Sequence, residues 1–405
     1  MTMSEGSDNP LLEGLPLLGD LPDLDGASVL VRVDFNVPLR ACEGEMSTVT
    51  DDFRIKAALP TLNYLIEHGA QVTACTHLGR PDGAPDVQWD LTPVREELAR
   101  LAPQVELLEN LRFDPGEESN DPAFVEKLIN SHDAYVNDAF GVSHRSHASV
   151  VGPPSRLPSA AGFLLQREIE VLGTLLGSPA RPFIAVVGGA KVADKLGVLK
   201  ALLDRVDLLV VGGGMSYTFL AAQGHDVGDS LVDVDRIDDC AALLASGRPI
   251  LLPTDIVALE PGAAFGCDAS GGEVRVVGND IPAGWQGLDM GPNTVAAFGA
   301  KIADAATVLW NGPMGVFEDA RFNAGTAGVA RAMAESPGFT VVGGGDSVSA
   351  VYEAGLAHQI DFISTGGGAS LELLELGDLP GLAALRGAVN APSPTRHGVG
   401  SPSNR

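Results

Sequence analysis

Lysine is scarce in this sequence, and carboxylates are abundant. Six of the 405 residues are lysine, which leaves 20 arginines among the 26 basic residues, and 53 Asp and Glu give a formal net charge of −27. A chain this acidic has no general basic surface for nucleic acid and is not attracted to anionic membranes. Because the carboxylates are dispersed and arginine replaces lysine, we interpret the surface as an adaptation to high salt, where screening weakens self-repulsion.

Cysteine is also scarce, and long apolar runs are missing. The four cysteines, Cys42, Cys75, Cys240 and Cys267, form no Cys-x-x-Cys pair, which argues against a zinc ribbon or redox dithiol and favours small buried residues. No apolar run is long enough to span a bilayer. The acidic start MTMSEGSDNP lacks the basic-then-apolar order of a signal peptide. We therefore expect a cytoplasmic protein with no membrane partner.

Two repeated patterns divide the chain. In the first half, β-branched apolar runs end in polar loops and helical segments follow; in the second half, the apolar runs end in glycines before a helical segment. Both patterns are typical of βα units around a parallel sheet, so we expect an α/β fold. The runs are 29–36, 70–80, 104–113 and 133–145, then 183–191, 208–215, 339–347 and 361–370.

A helix is predicted between the two patterns, over 164–177. Leu165, Ile169, Leu172 and Leu176 recur three or four residues apart and share one face. We interpret this helix as the connection between two domains.

The glycine turns of the second half indicate phosphate binding. Glycine lets the backbone approach a ligand, and the N–H groups of the following helix point at an anion. Tight βα connections are the ordinary alternative for any one such turn. The sequence has no Walker A loop, and GGGMSYTF does not match G-x-G-x-x-G, which weakens a dinucleotide interpretation.

Two of the six lysines follow the first glycine turn. If residues 190–195 begin a helix, Lys191 and Lys195 lie on one face, one turn apart, and repel each other unless an anion lies between them. A transferring phosphoryl group would serve. The alternative is a solvated helix face with Asp194 as a local partner.

Two acidic residues lie near the other turns. Asp346 follows GGG at a helix start and is either an ordinary N-cap or a ligand of Mg²⁺, which proteins usually hold with one carboxylate and phosphate oxygens. Glu318 is an acidic residue in an otherwise apolar stretch. It is either a residue that binds a ribose hydroxyl or an ordinary surface residue.

Cationic side chains collect at the strand ends of the first half. Alone, each would be a surface ion pair; together they predict a pocket for an acidic small molecule, because arginine binds carboxylate and phosphate through a bidentate fork. The spacing of the histidines, with no Glu placed as a base, argues against a zinc site. The residues are Arg54, His77, Arg80, Arg112, His144, Arg145 and His147.

Ten ordered segments resemble those of the phosphoglycerate kinase family, over about residues 28 to 390. In the first half they are RVDFNVPL, DDFRI, THLGRP, LLENLRF and NDAFGVSHRSHAS. In the second half they are GGAKVADK, GGGMSYTF, WNGPMGVFE, GGGDS and STGGGASLELL.

The resemblance implies a fold and a reaction. It implies two Rossmann-like lobes, each a parallel sheet flanked by helices, joined by a long hinge helix and closing on their substrates. The expected bounds are 1–163 for the phosphoglycerate-binding lobe, 164–178 for the helix and 179–379 for the nucleotide-binding lobe. Residues 380–392 are expected to pack back on the first lobe, and 393–405 to form a disordered tail. The implied reaction is phosphoryl transfer between 1,3-bisphosphoglycerate and ADP, giving 3-phosphoglycerate and ATP, with Mg²⁺, by a protein that we expect to be a monomer.

The resemblance also assigns residues, position by position. Arg54, Lys191 and Lys195 match the cations on the moving phosphoryl group. The phosphoglycerate contacts match Asp34, Asn36, Arg54, His77, Arg80, Arg112 and Arg145. The nucleotide contacts match Lys195, Gly213, Gly214, Gly287, Glu318, Gly343, Gly344, Gly345, Asp346 and Ser347, with Asp346 also the metal ligand. The turn at the transition-state phosphate matches Gly366, Gly367 and Gly368.

Departures from the family pattern are mild. Ser347 stands where threonine is usual and keeps the hydroxyl, and Met290 stands where many members have cysteine. Two other classes of function are weaker. An NAD-dependent dehydrogenase requires an acidic residue about 20 positions after a G-x-G-x-x-G unit, and none is well placed. An inactive nucleotide-binding regulator predicts decay of Arg54, Lys191, Lys195 or Asp346, and all four are intact.

Overall fold

The computed structural model describes residues 9–42 and 45–388. The predicted tail 393–405, the end of the segment 380–392 and the side chain of Cys42 lie outside the described residues. The chain divides into two compact units: one runs to Glu170 and resumes at Asp378, and the other is Val171–Gly377.

The first unit is a five-stranded parallel sheet with helices between its strands. The strands are β1 Ser28–Arg32, β2 Leu39–Cys42, β3 Glu45–Val49, β4 Gln71–Cys75, β5 Glu106–Leu107, β6 Ala134–Asn137 and β7 Ser159–Ala161. The order in the main sheet is β5-β4-β1-β6-β7, and β2 and β3 form a separate antiparallel pair. The helices are α1 Phe53–Glu67, α2 Thr92–Leu101, α3 Gly116–Ser119, α4 Pro122–Ile129, α5 Ala148–Val151 and α6 Phe163–Leu176.

The core of this unit explains the apolar runs. Val29, Leu30 and Val31 in β1 are all fully buried, as expected for a central parallel strand covered on both faces. Ile55 and Leu62 of α1 pack against the sheet in the same cluster. The helix α6 contains the point at which the two units divide.

The second unit has a six-stranded parallel sheet and a small antiparallel sheet. Its strands are β8 Phe183–Val187, β9 Leu208–Val211, β10 Ile250–Leu251, β11 Ile256–Leu259, β12 Val274–Val277, β13 Gln286–Met290, β14 Thr307–Asn311, β15 Phe339–Gly343 and β16 Phe362–Ile363. The parallel order is β10-β9-β8-β14-β15-β16, and the antiparallel order is β12-β11-β13. The helices are α7 Leu196–Leu203, α8 Met215–Ala222, α9 Ile237–Ala245, α10 Pro292–Ala303, α11 Ala324–Glu335, α12 Gly345–Glu353 and α13 Gly368–Leu376.

The last described helix, α14 Pro380–Ala388, belongs to the first unit. Gly381 donates its N–H to the Ser143 carbonyl over 2.8 Å, and Arg386 Nη2 donates to the Leu11 carbonyl, also over 2.8 Å. Both contacts attach the returning chain to segments far away in sequence.

The predicted α/β class with parallel sheets flanked by helices is confirmed. The sequence pattern identified β8, β9, β15 and β16 but not the antiparallel sheet, nor β14 at the centre of the parallel sheet. None of the helices in the described ranges is long and apolar enough to cross a membrane.

Candidate functional site

The cationic residues of the first unit follow the carboxyl ends of four neighbouring strands. Asp34 and Asn36 follow β1, His77 and Arg80 follow β4, Arg112 follows β5, and Arg145 follows β6. Since these strands are parallel and adjacent, their carboxyl ends meet at one edge of the sheet, which is where α/β proteins bind ligands.

Asp34 anchors the centre of this edge. Its side chain is buried and forms an ion pair with Arg54, and the His77 ring lies beside it, with Nδ1 3.9 Å from Asp34 Oδ1. Burial raises the pKa of Asp34, but the positive charges around it, Arg54 above all, outweigh burial and hold that pKa below its ordinary value. Burial lowers the pKa of His77 to about 3, so at neutral pH the ring is uncharged.

Backbone contacts hold the loop after β4. Gly79 donates its N–H to Asn36 Oδ1 over 3.0 Å, and Arg112 Nη1 donates to the Gly79 carbonyl over 2.6 Å. Asn110 holds the neighbouring Leu78 through both its N–H and its carbonyl. The loop that carries His77 and Arg80 is therefore fixed by the segments after β1 and β5.

Two arginines of the predicted set remain free at this edge. Arg80 and Arg145 are exposed, and no acidic side chain in the described ranges pairs with either. Arg112 in contrast is ion-paired with Glu118, with Nε 3.0 Å from Oε1. The edge thus presents two unpaired guanidinium groups and a neutral histidine, a combination suited to a carboxylate or phosphate ligand.

Two further histidines of the predicted set, His144 and His147, also have lowered pKa values. Burial lowers the pKa of His144 to about 4, with nearby Arg145 adding to the effect, and burial lowers the pKa of His147 as well. Within the described part of the chain, no cluster of three or more His, Cys, Asp or Glu side chains could hold a metal ion.

A cavity of about 660 Å³ lies in the second unit, where the glycine turns meet. Five predicted nucleotide-site residues line it: Gly213, Gly214, Gly287, Glu318 and Asp346. Much of the remaining lining is apolar or aromatic, including Tyr217, Leu231, Phe265, Leu288 and Phe317. Such a cavity offers apolar walls with two carboxylates and several backbone groups, which suits a nucleoside with a polar tail.

Gly213 shows why these turns need glycine. Its φ is +66°, and a Cβ there would lie 2.7 Å from the Gly189 nitrogen and 2.7 Å from the Pro313 carbonyl oxygen. Gly287 packs as closely, because a Cβ would lie 2.7 Å from the Tyr217 ring. The turns after β8, β9 and β14 therefore touch each other, and a side chain at Gly213 would separate them, whereas a side chain at Gly287 would displace the Tyr217 ring.

Lys195 is held at the junction of these turns. Its Nζ donates to the Gly188 carbonyl at 2.7 Å and to Asn311 Oδ1 at 2.8 Å. Burial lowers the pKa of Lys195 to about 8, although Asp346 and Asp194 oppose the shift. The ammonium group is thus fixed beside the carboxylate that was predicted to bind the metal.

The prediction that Lys191 and Lys195 share a helix face is wrong. Residues 191–195 form a turn, and α7 begins at Leu196, with Lys195 as the residue before its first turn. The Lys195 N–H bonds to the Val192 carbonyl, and the Ala193 N–H bonds to Asp233 Oδ2 at 3.0 Å. These bonds replace the helical ones, leaving Lys191 exposed and Lys195 half-buried.

The residues of the GGGDS turn differ in their exposure and in their contacts. Gly343 ends β15, Gly344 has a φ of +88°, and Gly345 and Asp346 open α12 with both residues exposed. Ser347 is fully buried, does not line the cavity, and accepts a hydrogen bond from the Gly312 N–H at 2.6 Å. Asp346 suits Mg²⁺ as an exposed carboxylate at the cavity wall, since the remaining ligands of this ion are commonly phosphate oxygens and water.

The glycine turn after β16 lies outside the cavity lining. Gly366 donates its N–H to Ser364 Oγ at 3.1 Å, Gly367 has a φ of +51°, and Gly368 opens α13. Among the first N–H groups of that nine-residue helix, that of Ala369 donates to the Gly366 carbonyl at 2.9 Å, whereas no bond within the described ranges engages that of Gly368, which leaves it to an anion.

Sequence reasoning missed three residues that shape these sites. Asn311 holds Lys195, Tyr217 walls the cavity, and Arg32 is buried in β1 next to His77. Arg32 left a signal in the sequence, because it is a charged residue inside the apolar run VLVRV. The other two left none, since asparagine before glycine is read as a turn and tyrosine in a helix as core.

A second cavity of about 1230 Å³ in the first unit is unrelated to the predicted site. It lies by the amino ends of β1 and β4, at Ser28 and Gln71, and is also lined by Phe124 and His132. None of the predicted substrate residues lines it.

Comparison with known proteins gives one consistent result. The family model described as phosphoglycerate kinase matches residues 18–106 and 102–376. The phosphoglycerate kinase of Salinispora arenicola is 52% identical over 393 residues, covering 90% of this chain and 96% of that protein. That of Chloroflexus aurantiacus is 49% identical over 399 residues, covering 90% and 98%. The solved phosphoglycerate kinase of Coxiella burnetii matches with a TM-score of 0.80 and 35% identity, covering 92% of this chain and 98% of that chain.

Proposed function

The chain belongs to the phosphoglycerate kinase family, and from that premise we propose how its residues divide the work of the reaction. It is a kinase that transfers a phosphoryl group between ATP and 3-phosphoglycerate, a step of glycolysis. The observation that carries the assignment to residues is the cationic edge of the first sheet, with Arg80 and Arg145 exposed and unpaired within the described ranges.

The first unit binds the phosphoglycerate. The pairing of Arg54 with Asp34 and the tie between Asn36 and Gly79 support this role, because they hold an arginine and a loop ready for a small anion. Arginine forks bind the phosphate and carboxylate of such a molecule in a fixed orientation. The proposed contacts are Asp34, Asn36, Arg54, His77, Arg80, Arg112 and Arg145.

The second unit binds ADP or ATP. Its 660 Å³ cavity with Gly213, Gly214 and Gly287 takes the nucleoside, and Glu318 at the wall binds the ribose. Lys195 and the turn Gly343–Ser347 bind the phosphates, and the burial of the Ser347 side chain favours contact through the backbone of that turn. Asp346 would hold Mg²⁺, which supplies positive charge to the nucleotide phosphates.

The chemistry requires no general base. In one direction the nucleophile is an ionised ADP phosphate oxygen, and in the other it is the carboxylate of 3-phosphoglycerate. Catalysis is then a matter of positioning and of charge stabilisation. Arg54, Lys191 and Lys195 supply the cations, and the turn Gly366, Gly367 and Gly368 supplies N–H donors for the phosphoryl oxygens.

A coupled assay tests this division of roles. ATP-dependent consumption of 3-phosphoglycerate is measured for the wild type and for Arg80→Ala, Arg145→Ala and Arg156→Ala. The first two should raise KM for 3-phosphoglycerate without changing KM for ATP. Arg156 is the control, because it is exposed but paired with Glu126 at 3.0 Å. An unchanged KM for 3-phosphoglycerate in the first two variants would contradict the substrate assignment.

We also propose that the protein works in the cytoplasm as a monomer and is adapted to high salt. The support for the last point is the net charge of −27, with six lysines in the chain.

A further inference from the structure

Arg32 is a buried arginine at the end of the central strand β1, and only 1% of it is exposed. Its guanidinium makes three contacts. Nε donates to Ser149 Oγ at 2.9 Å, Nη1 donates to the Val33 carbonyl at 2.5 Å, and Nη2 lies 3.3 Å from His77 Nδ1. A buried cation with this many directed bonds is held in one orientation.

The far side of this guanidinium is anchored by a buried acid. Glu117 is fully buried and accepts from Ser149 Oγ at 2.6 Å and from the Ser149 N–H at 2.9 Å. Tyr135 also donates its hydroxyl to the Ser149 carbonyl at 2.7 Å. Ser149 therefore links Arg32 to its counter-charge and cannot rotate without breaking several bonds.

The contact with His77 decides which ring nitrogen carries the proton. An arginine nitrogen can only donate, so Nδ1 of His77 must be the acceptor at 3.3 Å. The competing arrangement would have Nδ1–H donate to Asp34 Oδ1, but that separation is 3.9 Å, too long for a hydrogen bond. A neutral ring whose Nδ1 accepts carries its proton on Nε2.

We propose that Arg32 is a positioning residue that keeps His77 in the neutral Nε2–H form, so that this nitrogen is a fixed donor to the acidic substrate. The inference rests on the proposed binding of phosphoglycerate at this edge. Arg32 touches the substrate only through His77, and Ser149 and Glu117 act one step further away by orienting Arg32.

The charges facing His77 are consistent with a neutral ring. Asp34 favours the imidazolium, whereas Arg32, Arg112 and Arg54 disfavour it, and burial adds to their effect. One carboxylate thus faces three guanidinium groups, so the ring has no reason to take up a second proton near pH 7.

NMR of the protein without substrate tests the tautomer directly. With ¹⁵N-labelled histidine, long-range ¹H–¹⁵N correlations distinguish Nε2–H, Nδ1–H and imidazolium, and His77→Gln identifies the signal among the eight histidines. We expect the Nε2–H form at every pH from 5 to 8. An Nδ1–H ring, or an imidazolium near pH 7, would overturn the proposal while leaving the kinase assignment untouched.

Steady-state kinetics of a Ser149 variant provide the second test, because Ser149 holds Arg32 in place. Ser149→Ala removes the bond to Arg32 Nε and should raise KM for 3-phosphoglycerate by roughly fivefold or more, the effect of one lost hydrogen bond, and leave KM for ATP unchanged. The same variant should show a mixture of His77 tautomers. The matched control is Ser155→Ala, an exposed serine whose Oγ bonds to the Gly152 carbonyl.

Arg32→Lys separates charge from geometry. Lysine keeps the positive charge but lacks the fork that spans Ser149 and His77, so the same rise in KM and the same mixture of tautomers are expected. If Arg32→Lys does not fold, the Ser149→Ala result decides alone. A wild-type tautomer pattern together with wild-type KM in Ser149→Ala would show that the network is structural only.

Discussion

The Lys195 side chain has a lowered pKa and lies among the glycine turns that are proposed to bind the nucleotide phosphates. Burial lowers its pKa to about 8, and nucleotide phosphates beside Nζ would raise it again, because an anion favours the charged form. The protonated lysine therefore binds nucleotide better than the neutral one. Affinity for ADP should be constant near pH 7 and fall as pH rises above about 8.

Calorimetry at pH 8 measures this linkage. Binding of ADP should take up protons, so the apparent enthalpy should vary with the ionisation enthalpy of the buffer. In Lys195→Arg the side chain stays charged throughout this range, and both the proton uptake and the loss of affinity should disappear. Equal proton uptake in the variant and the wild type would assign the titration to another group.

Lys191 gives a different expectation, because it is exposed and makes no ion pair within the described ranges. If it acts on the phosphoryl group only in the transition state, Lys191→Ala should lower kcat by about 10²-fold and leave nucleotide affinity near the wild-type value. Lys200→Ala is the control, since Lys200 is exposed and lies 3.4 Å from Asp239. A wild-type kcat in Lys191→Ala would make that lysine a solvated charge.

Residue identities were more predictable than their geometry. The scarcity of lysine singled out Lys191 and Lys195, but their relation on a helix face was wrong, because bonds to Val192 and Asp233 make that segment a turn. The role of Ser347 shows the same limit. A hydroxyl after a glycine turn reads as a phosphate ligand, and here its Oγ is bonded to the Gly312 N–H inside the fold.

At the scale of elements, the sequence predicts strands that end abruptly in glycine. The runs before Gly188 and Gly212 were identified as strands because each is continuously apolar and ends in glycine, and the structure buries both fully or almost fully. β14 lies at the centre of the same sheet, yet it ends in Trp310 and Asn311 before a glycine, which reads as a turn. The antiparallel strands β11 to β13 were missed because the predicted pattern was an apolar run that ends in glycines before a helical segment, and the apolar runs of β11 and β12 pair with each other with no helix between them.

The helix α6 depends on a buried cap from a distant strand end. Asp138 is fully buried, and its Oδ1 accepts from the Leu164 N–H at 2.9 Å and from the Leu165 N–H at 3.3 Å. Burial raises its pKa from 3.8 to about 7. Between these values the folded protein binds more protons at this site than the unfolded chain, so the contribution of Asp138 to stability falls as pH rises from 3.8 to about 7.

The variant Asp138→Asn tests whether the buried carboxyl group makes the protein less stable as pH rises. The amide keeps an oxygen acceptor for the helix but carries no charge, so its Tm relative to wild type should rise from pH 5 to pH 8. Scanning calorimetry at unit steps of pH measures the difference. Asp86→Asn is the control: Asp86 is also a cap, accepting from the Gln88 N–H at 2.9 Å, but it is exposed, and its difference from wild type should stay flat. A flat difference for Asp138→Asn would mean that the carboxyl is ionised throughout.

At the scale of the whole molecule, the family predicts that the two lobes close when both substrates are bound, and this stays a prediction. Small-angle scattering with each substrate alone and with both together measures it. The radius of gyration should be smallest with both. An unchanged radius in every combination would contradict closure.

The last prediction concerns the effect of salt on the thermal stability of this acidic protein. With a net charge of −27, folding brings like charges together, and the repulsion acts over a Debye length of about 30 Å at 10 mM salt but about 3 Å at 1 M. Tm should therefore rise markedly from dilute buffer to molar KCl.

A triple variant provides the control for this prediction: Glu67→Gln, Glu96→Gln, Glu335→Gln. It removes three exposed charges that have no ion-pair partner within the described ranges, so its Tm should be higher at low salt and rise less with KCl. Calorimetry of both proteins in the same KCl series separates screening from a general salt effect, because a general effect would raise both curves equally. A wild-type Tm that stays flat or falls would contradict the adaptation to salt.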